Sequence, residues 1–192
     1  MLDWRKILLS LAIAASLLYS PTVRSESYSG VSGIDLHKIH SFDGVQNTYR
    51  LKYKYFSINK ESDRSALIEK IIEKTSNIVF EYLRSNNILL TRCSHNHFIF
   101  IYEISSLDLN NNDRFLKTKY YPNSSFIYGF WEPIDNNNDV IVTLYSNSNE
   151  LFSDIISHEV AHYWYNRLNL SKVIDKTHEE FALMVERRYK GP

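Results

Sequence analysis

The pentapeptide His158-Glu159-Val160-Ala161-His162 carries the most specific chemistry in the sequence. On an α-helix, residues four apart sit one above the other, so both imidazoles address one point. Neutral imidazole is a good zinc ligand. Glu159 lies about 100° around the helix from His158 by the 3.6-residue turn, beside such a metal rather than on it. A carboxylate there can take a proton from a water that the metal has activated. The pattern therefore predicts a zinc site with Glu159 as general base.

A catalytic zinc usually takes three protein ligands and keeps a fourth position open. The extended form of this motif needs Gly at 165 and His at 168, where the chain has Tyr165 and Leu168. The next candidates are Asp175, His178, Glu179 and Glu180. Thr177-His178-Glu179-Glu180 reads as a capping box, with Thr177 as N-cap and Glu180 folded back onto it. Glu180 then has a structural task, and Glu179 is favoured as third ligand over Glu180 and His178. Ala182 shares the face of Glu179, and so small a side chain permits close approach to the histidine helix.

These residues need elements to position them. Ser153–Asn169 and Thr177–Tyr189 are the two predicted C-terminal helices. Leu151 to Ile156 supply a cap and an apolar lead-in for the first. In it Ile156, Val160 and Tyr163 face away from the histidines, with Ala161 and Trp164 on a flank, so the helix is expected to be well buried. The longest helical pattern is Glu61–Asn86, where Leu67, Ile71, Ile72, Ile78, Val79, Tyr82 and Leu83 recur at three- and four-residue steps. Ser62 is its expected cap. Arg50–Ile58 alternates as a half-buried strand, and His97–Ile104, Phe126–Trp131 and Val140–Tyr145 are β-rich. The turn formers of 132–139 predict a hairpin between the last two. Asn-Asn-Asn-Asp occurs at 110–113 and 136–139, but lacks the alternating carboxylates and Gly of a calcium loop, so it reads as a solvated turn.

The motif, a short gap, and a second helix carrying Glu and a nearby Ala resemble the gluzincin zinc metallopeptidases. Many of them have Glu-Gly-(aromatic or aliphatic)-Ala on the second helix, where this chain has Glu179-Glu180-Phe181-Ala182. The resemblance implies His158, His162 and Glu179 as zinc ligands and Glu159 as general base. The strand and helix patterns above predict one α+β domain, and the resemblance implies that it is a small zincin-like one, with a mixed sheet, a long helix, the motif helix and a C-terminal ligand helix. The resemblance covers Ser153 to Glu186, under a fifth of the chain. Glu180 stands where the family has Gly, and the gap of 16 residues from His162 to Glu179 demands a tight turn. The family's transition-state Tyr or His has Tyr189 and His178 as its nearest counterparts.

The rest of the sequence bounds the reading. The chain has 192 residues, 44% hydrophobic and 23% charged, enough for one core. Net charge is zero, with no basic stripe for nucleic acid or an anionic membrane. Arg5 and Lys6, the apolar run Ile7–Tyr19, and Val23-Arg24-Ser25 follow the plan of a secretory signal peptide. Cleavage after Ser25 is expected, leaving a single exported domain with no membrane span. Cys93 is the only cysteine, so no internal disulfide forms. Cys93, His95 and His97 form a second cluster, read as a polar strand entrance rather than a metal site. The 14 tyrosines can fill a core or line a groove for extended chains. The expected function is an exported zinc-dependent hydrolase acting on a peptide or protein. The alternative is a non-catalytic exported binding protein with a structural or vestigial zinc.

Overall fold

A computed structural model of the chain describes residues 27–28, 32–35, 41–42, 45–46, 49–57, 63–88, 95–104 and 129–191. The predicted signal segment, Ser62, Cys93 and the Asn-Asn-Asn-Asp run at 110–113 lie outside these residues. The elements are β1 (Ser27–Tyr28), β2 (Ser32–Asp35), β3 (Ser41–Phe42), β4 (Val45–Gln46), β5 (Tyr49–Ser57), α1 (Ser65–Ser85), β6 (His95–Ile104), β7 (Gly129–Pro133), β8 (Asn138–Leu144), α2 (Asn149–Arg167), a 3-10 turn (Leu170–Lys172) and α3 (His178–Lys190). The fold is α+β. The main sheet runs β1-β5-β6-β8-β7, with β2 also on the outer side of β5. It is mixed: β5, β6 and β8 are parallel, while β1 and β2 run antiparallel to β5 and β7 runs antiparallel to β8. The expected hairpin is β7–β8.

Alternation along β5 decides which face is covered. Tyr49, Leu51, Tyr53 and Tyr55 are buried while Arg50 and Lys52 are exposed. The helices pack on that buried face. Tyr49 stacks on Phe80 of α1 and meets Trp164 of α2 edge-on, with ring centres 5.4 Å apart in each case. Tyr55 meets Phe152 of α2. These tyrosines, with Tyr163, belong to the core rather than to a groove.

The buried stripe of α1 is rotated from the expected one. Ile68, Ile71, Ile72, Thr75, Ser76, Val79, Phe80 and Leu83 are buried, whereas Leu67, Ile78 and Tyr82 are half-buried at its edge. Two polar residues sit in that stripe because one of them has work there. Ser76 Oγ donates to the Ile72 carbonyl and accepts the indole N–H of Trp164. Burying an indole without a partner for its N–H is costly, and Ser76 removes that cost.

α2 begins four residues before the expected Ser153. Ser148 is its N-cap, accepting from the Leu151 amide, while the Ser153 hydroxyl turns back to the Asn149 carbonyl inside the helix. The helix is buried almost all round, with Phe152, Ile156, Val160, Ala161, Tyr163 and Trp164 closed to solvent. Its end is tight, as the short gap to Glu179 requires. Asn169 takes the left-handed conformation, φ 50°, and the 3-10 turn follows with Leu170 buried beneath it. The Thr177–Glu180 capping box then starts α3.

The second Asn-Asn-Asn-Asp run is only partly a solvated turn. Asn136 and Asn137 are exposed, but Asp139 is fully buried. Its Oδ2 accepts from Arg167 at 2.6 and 2.9 Å, and its Oδ1 accepts from the Trp131 indole at 3.1 Å. Arg167 also donates to the carbonyls of Asp135, Asn136 and Asn138, so the end of α2 grips the hairpin turn.

Candidate metal centre

α2 and α3 bring His158, His162 and Glu179 together. One ligand atom from each lies within 4.8 Å of the others, and no other His, Cys, Asp or Glu group among the described residues forms such a cluster. The Nε2 atoms of His158 and His162 are 3.0 Å apart. Glu179 spans them, with Oε1 3.4 Å from His158 Nε2 and Oε2 3.4 Å from His162 Nε2. Ligand atoms placed tetrahedrally at zinc distances are about 3.3 Å apart. The donor set and its spacing therefore fit such an ion.

The electrostatics follow from three acids and two imidazoles in a half-buried corner. Burial opposes a charge on His158, but its contact with Glu179, the charges of Glu159 and Glu179, and the hydrogen bond to Glu186 outweigh that and lift its pKa to about 9. Burial lowers His162, which the neighbouring His158 reinforces against the pull of Glu179. The two histidines in turn hold Glu179 well below the usual carboxylate range. A cation binding here at neutral pH would displace the proton that His158 holds.

Glu159 sits beside the cluster and is 3% exposed. Burial raises its pKa to about 8, against the opposing charge of His158 and a hydrogen bond from the Trp131 backbone amide. Its Oε2 has no hydrogen-bond partner. Strand β7 reaches it because Gly129 has no side chain. A Cβ there would lie 2.5 Å from Ile155 Cγ2 and 3.5 Å from Glu159 Oε1. Ala182 of α3 is fully buried.

The remaining candidates do not join the cluster. The Glu180 carboxylate accepts from both the amide and the hydroxyl of Thr177, as the capping box predicts. Asp175 is exposed. His178 Nε2 donates to the His162 carbonyl at 3.1 Å, and its ring lies 4.3 Å from that of His162 and 5.4 Å from that of Trp131. Burial, then the charge of His162, lowers its pKa to about 4. The Tyr189 ring faces the Lys74 ammonium, 4.2 Å away. His97 is buried with its ring edge-on to Tyr163.

Sequence reasoning did not single out three contributors. Glu186 Oε2 lies 2.9 Å from His158 Nδ1. Gly129 and the Trp131 amide set Glu159. Glu186 had a signal, since it stands seven residues, about two helical turns, after Glu179 and shares its face. Gly129 and Trp131 had none, because their role depends on where β7 lands against α2.

No known protein family, curated protein or solved structure matches the chain.

Proposed function

We propose that the chain is a zinc-dependent hydrolase acting on peptide bonds, a minimal gluzincin-type member with a zincin-like fold. The observation that carries this reading is the convergence of His158, His162 and Glu179 beside a buried carboxylate with an unpartnered oxygen. His158 and His162 would hold the ion through Nε2 and Glu179 through its carboxylate. Bound there, zinc would supply a Lewis acid that polarises a carbonyl and eases loss of a proton from water.

The chain's own residues supply the rest. Glu159 takes the proton of the attacking water as the water oxygen bonds to the carbonyl carbon. It then gives that proton to the departing amine nitrogen as the C–N bond breaks. The Trp131 amide and the close passage of β7 hold the Glu159 carboxylate in place. Structural zinc sites are usually closed by four protein ligands. The described cluster offers three, which favours catalysis over a purely structural ion.

No helix among the described residues is long and apolar enough to cross a membrane. Export rests on the sequence of residues 1–25 alone, which lie outside those residues.

The test is peptide hydrolysis by the zinc-loaded protein and by Glu159→Gln. The variant should keep zinc and lose turnover. Hydrolysis by Glu159→Gln at the wild-type rate would refute the assignment of the base.

A further inference from the structure

We propose that Glu186 is a positioning residue for the metal centre, fixing the ring of His158 so that its Nε2 faces His162 and Glu179. This rests on the metal-binding reading above and adds a specific partner to it. The two metal-facing histidines are held differently. His158 Nδ1 donates to Glu186 Oε2 at 2.9 Å, whereas His162 Nδ1 is buried with no hydrogen-bond partner. The His162 ring is instead confined by its neighbours, with the rings of His158 and His178 at 4.7 and 4.3 Å. An imidazole bound at one nitrogen is oriented by what its other nitrogen donates to, and a carboxylate partner also makes the ligand nitrogen more basic. His158 has such a partner and His162 does not.

Glu186 is itself held. Its Oε1 accepts from Lys190 at 2.7 Å, and Lys190 reaches Asp154 Oδ2 at 3.1 Å. Asp154 and His158 are one turn apart on α2, and Glu186 and Lys190 are one turn apart on α3. The four side chains therefore close a square between facing turns of the two helices. Lys190 is about half exposed, so its ion pairs are screened by solvent. The Glu186–His158 contact is the better shielded side of the square, with side chains 20% and 13% exposed.

A simple helix–helix staple and a positioning residue make different predictions. If the square only staples α3 to α2, removing Lys190 should act like removing Glu186. If Glu186 positions His158, only its own removal should weaken metal binding. The experiment titrates Zn2+ against a chromophoric chelator in the wild type, Glu186→Ala, Glu186→Gln and Lys190→Ala. It adds visible spectra with Co2+ and the imidazole 15N resonances of the metal-free proteins. Glu186→Ala should bind Zn2+ about 10- to 100-fold more weakly, the range found for lost partners of metal-bound histidines. Glu186→Gln, which keeps the shape, should fall between it and wild type and covers the case in which the alanine variant does not fold. Lys190→Ala should stay within about threefold of wild type, as expected for an exposed ion pair. The Co2+ spectrum should change in both Glu186 variants. In the metal-free protein the Nδ1 resonance of His158 should move on Glu186→Gln.

Wild-type affinity in both Glu186 variants, equal losses in Glu186→Ala and Lys190→Ala, or an unmoved His158 resonance would each overturn the proposal. A wild-type protein that takes up no Zn2+ would instead overturn the metal-binding reading on which it rests.

Discussion

Glu103 and Glu159 are both buried carboxylates, 2% and 3% exposed, yet their surroundings are opposite. Glu103, on β6, is saturated with donors. Its Oε2 accepts from Tyr55 at 2.6 Å and Ser57 at 2.7 Å, and its Oε1 accepts from Arg64. Arg64 in turn bonds the Ser146 carbonyl and lies over the Phe152 ring, 4.5 Å from its centre. Glu159, on α2, has one backbone amide, a neighbouring imidazole and an oxygen with no partner. Burying a carboxylate is tolerable when donors replace the lost water. Where they do not, the fold bears a cost that packing does not explain. Glu103 ties β5, β6 and the segment ahead of α1 together. Glu159 keeps one carboxylate oxygen without a partner, which is what the proposed role of general base requires.

The largest expected difference is in stability. Glu103→Gln leaves Arg64 buried without its counter-charge and should cost about 3–5 kcal/mol, the usual loss when one partner of a buried ion pair goes. Glu159→Gln should cost less than about 0.5 kcal/mol or even stabilise the fold, since it removes an under-satisfied buried acid. Urea denaturation of the two variants reads this directly. Equal losses would erase the distinction between the two sites.

Gly129→Ala should come next. Its Cβ would meet Ile155 Cγ2 and crowd Glu159. Overpacking of this kind costs about 1–3 kcal/mol and should push β7 away from Glu159, lowering the proposed hydrolysis. Combining it with Ile155→Ala, which removes the clashing methyl, should recover part of the loss. A double variant no more active than Gly129→Ala would show that β7 acts in some other way.

Asp139 sits between the two extremes, and its effect shows in how stability depends on pH. It is paired with Arg167 and Trp131, but burial outweighs them and raises its pKa to about 6. The folded state then holds a proton that the unfolded chain releases near pH 4. Its stabilising contribution is therefore full below about pH 4 and lost as pH rises through about 6. Relative to Asp139→Asn, wild-type stability should fall across that window by about 3 kcal/mol, at about 1.4 kcal/mol for each pH unit between the two values. Denaturation at pH 4 and pH 7 measures the difference. A wild type that gains on Asp139→Asn over the same interval would mean that Arg167 dominates instead.

Much of this was legible locally. The spacing of His158 and His162 is a property of one helix, and the Thr177–Glu180 box is a property of four residues. Both depend only on helical geometry. The α+β class and the β7–β8 hairpin were readable from periodicity and turn formers. What was not legible is relational. Ser76 reads as a poor core residue until Trp164 of another helix needs its hydroxyl. Ser148 competes as a cap with Ser153, and only the turn leading from β8 decides between them. Gly129 looks like an ordinary strand glycine until Ile155 is found beneath it. Asp139 looks like a turn residue until Arg167, 28 positions later, reaches it.

The central claim is that His158, His162 and Glu179 hold one metal ion. Its most direct measurement is the metal content of the purified wild-type protein beside His162→Ala and Glu179→Ala, each equilibrated with zinc and then freed of loosely bound ions. The account predicts one zinc per wild-type chain and none retained by either variant. A wild-type protein without metal, or variants that keep a full equivalent, would contradict it.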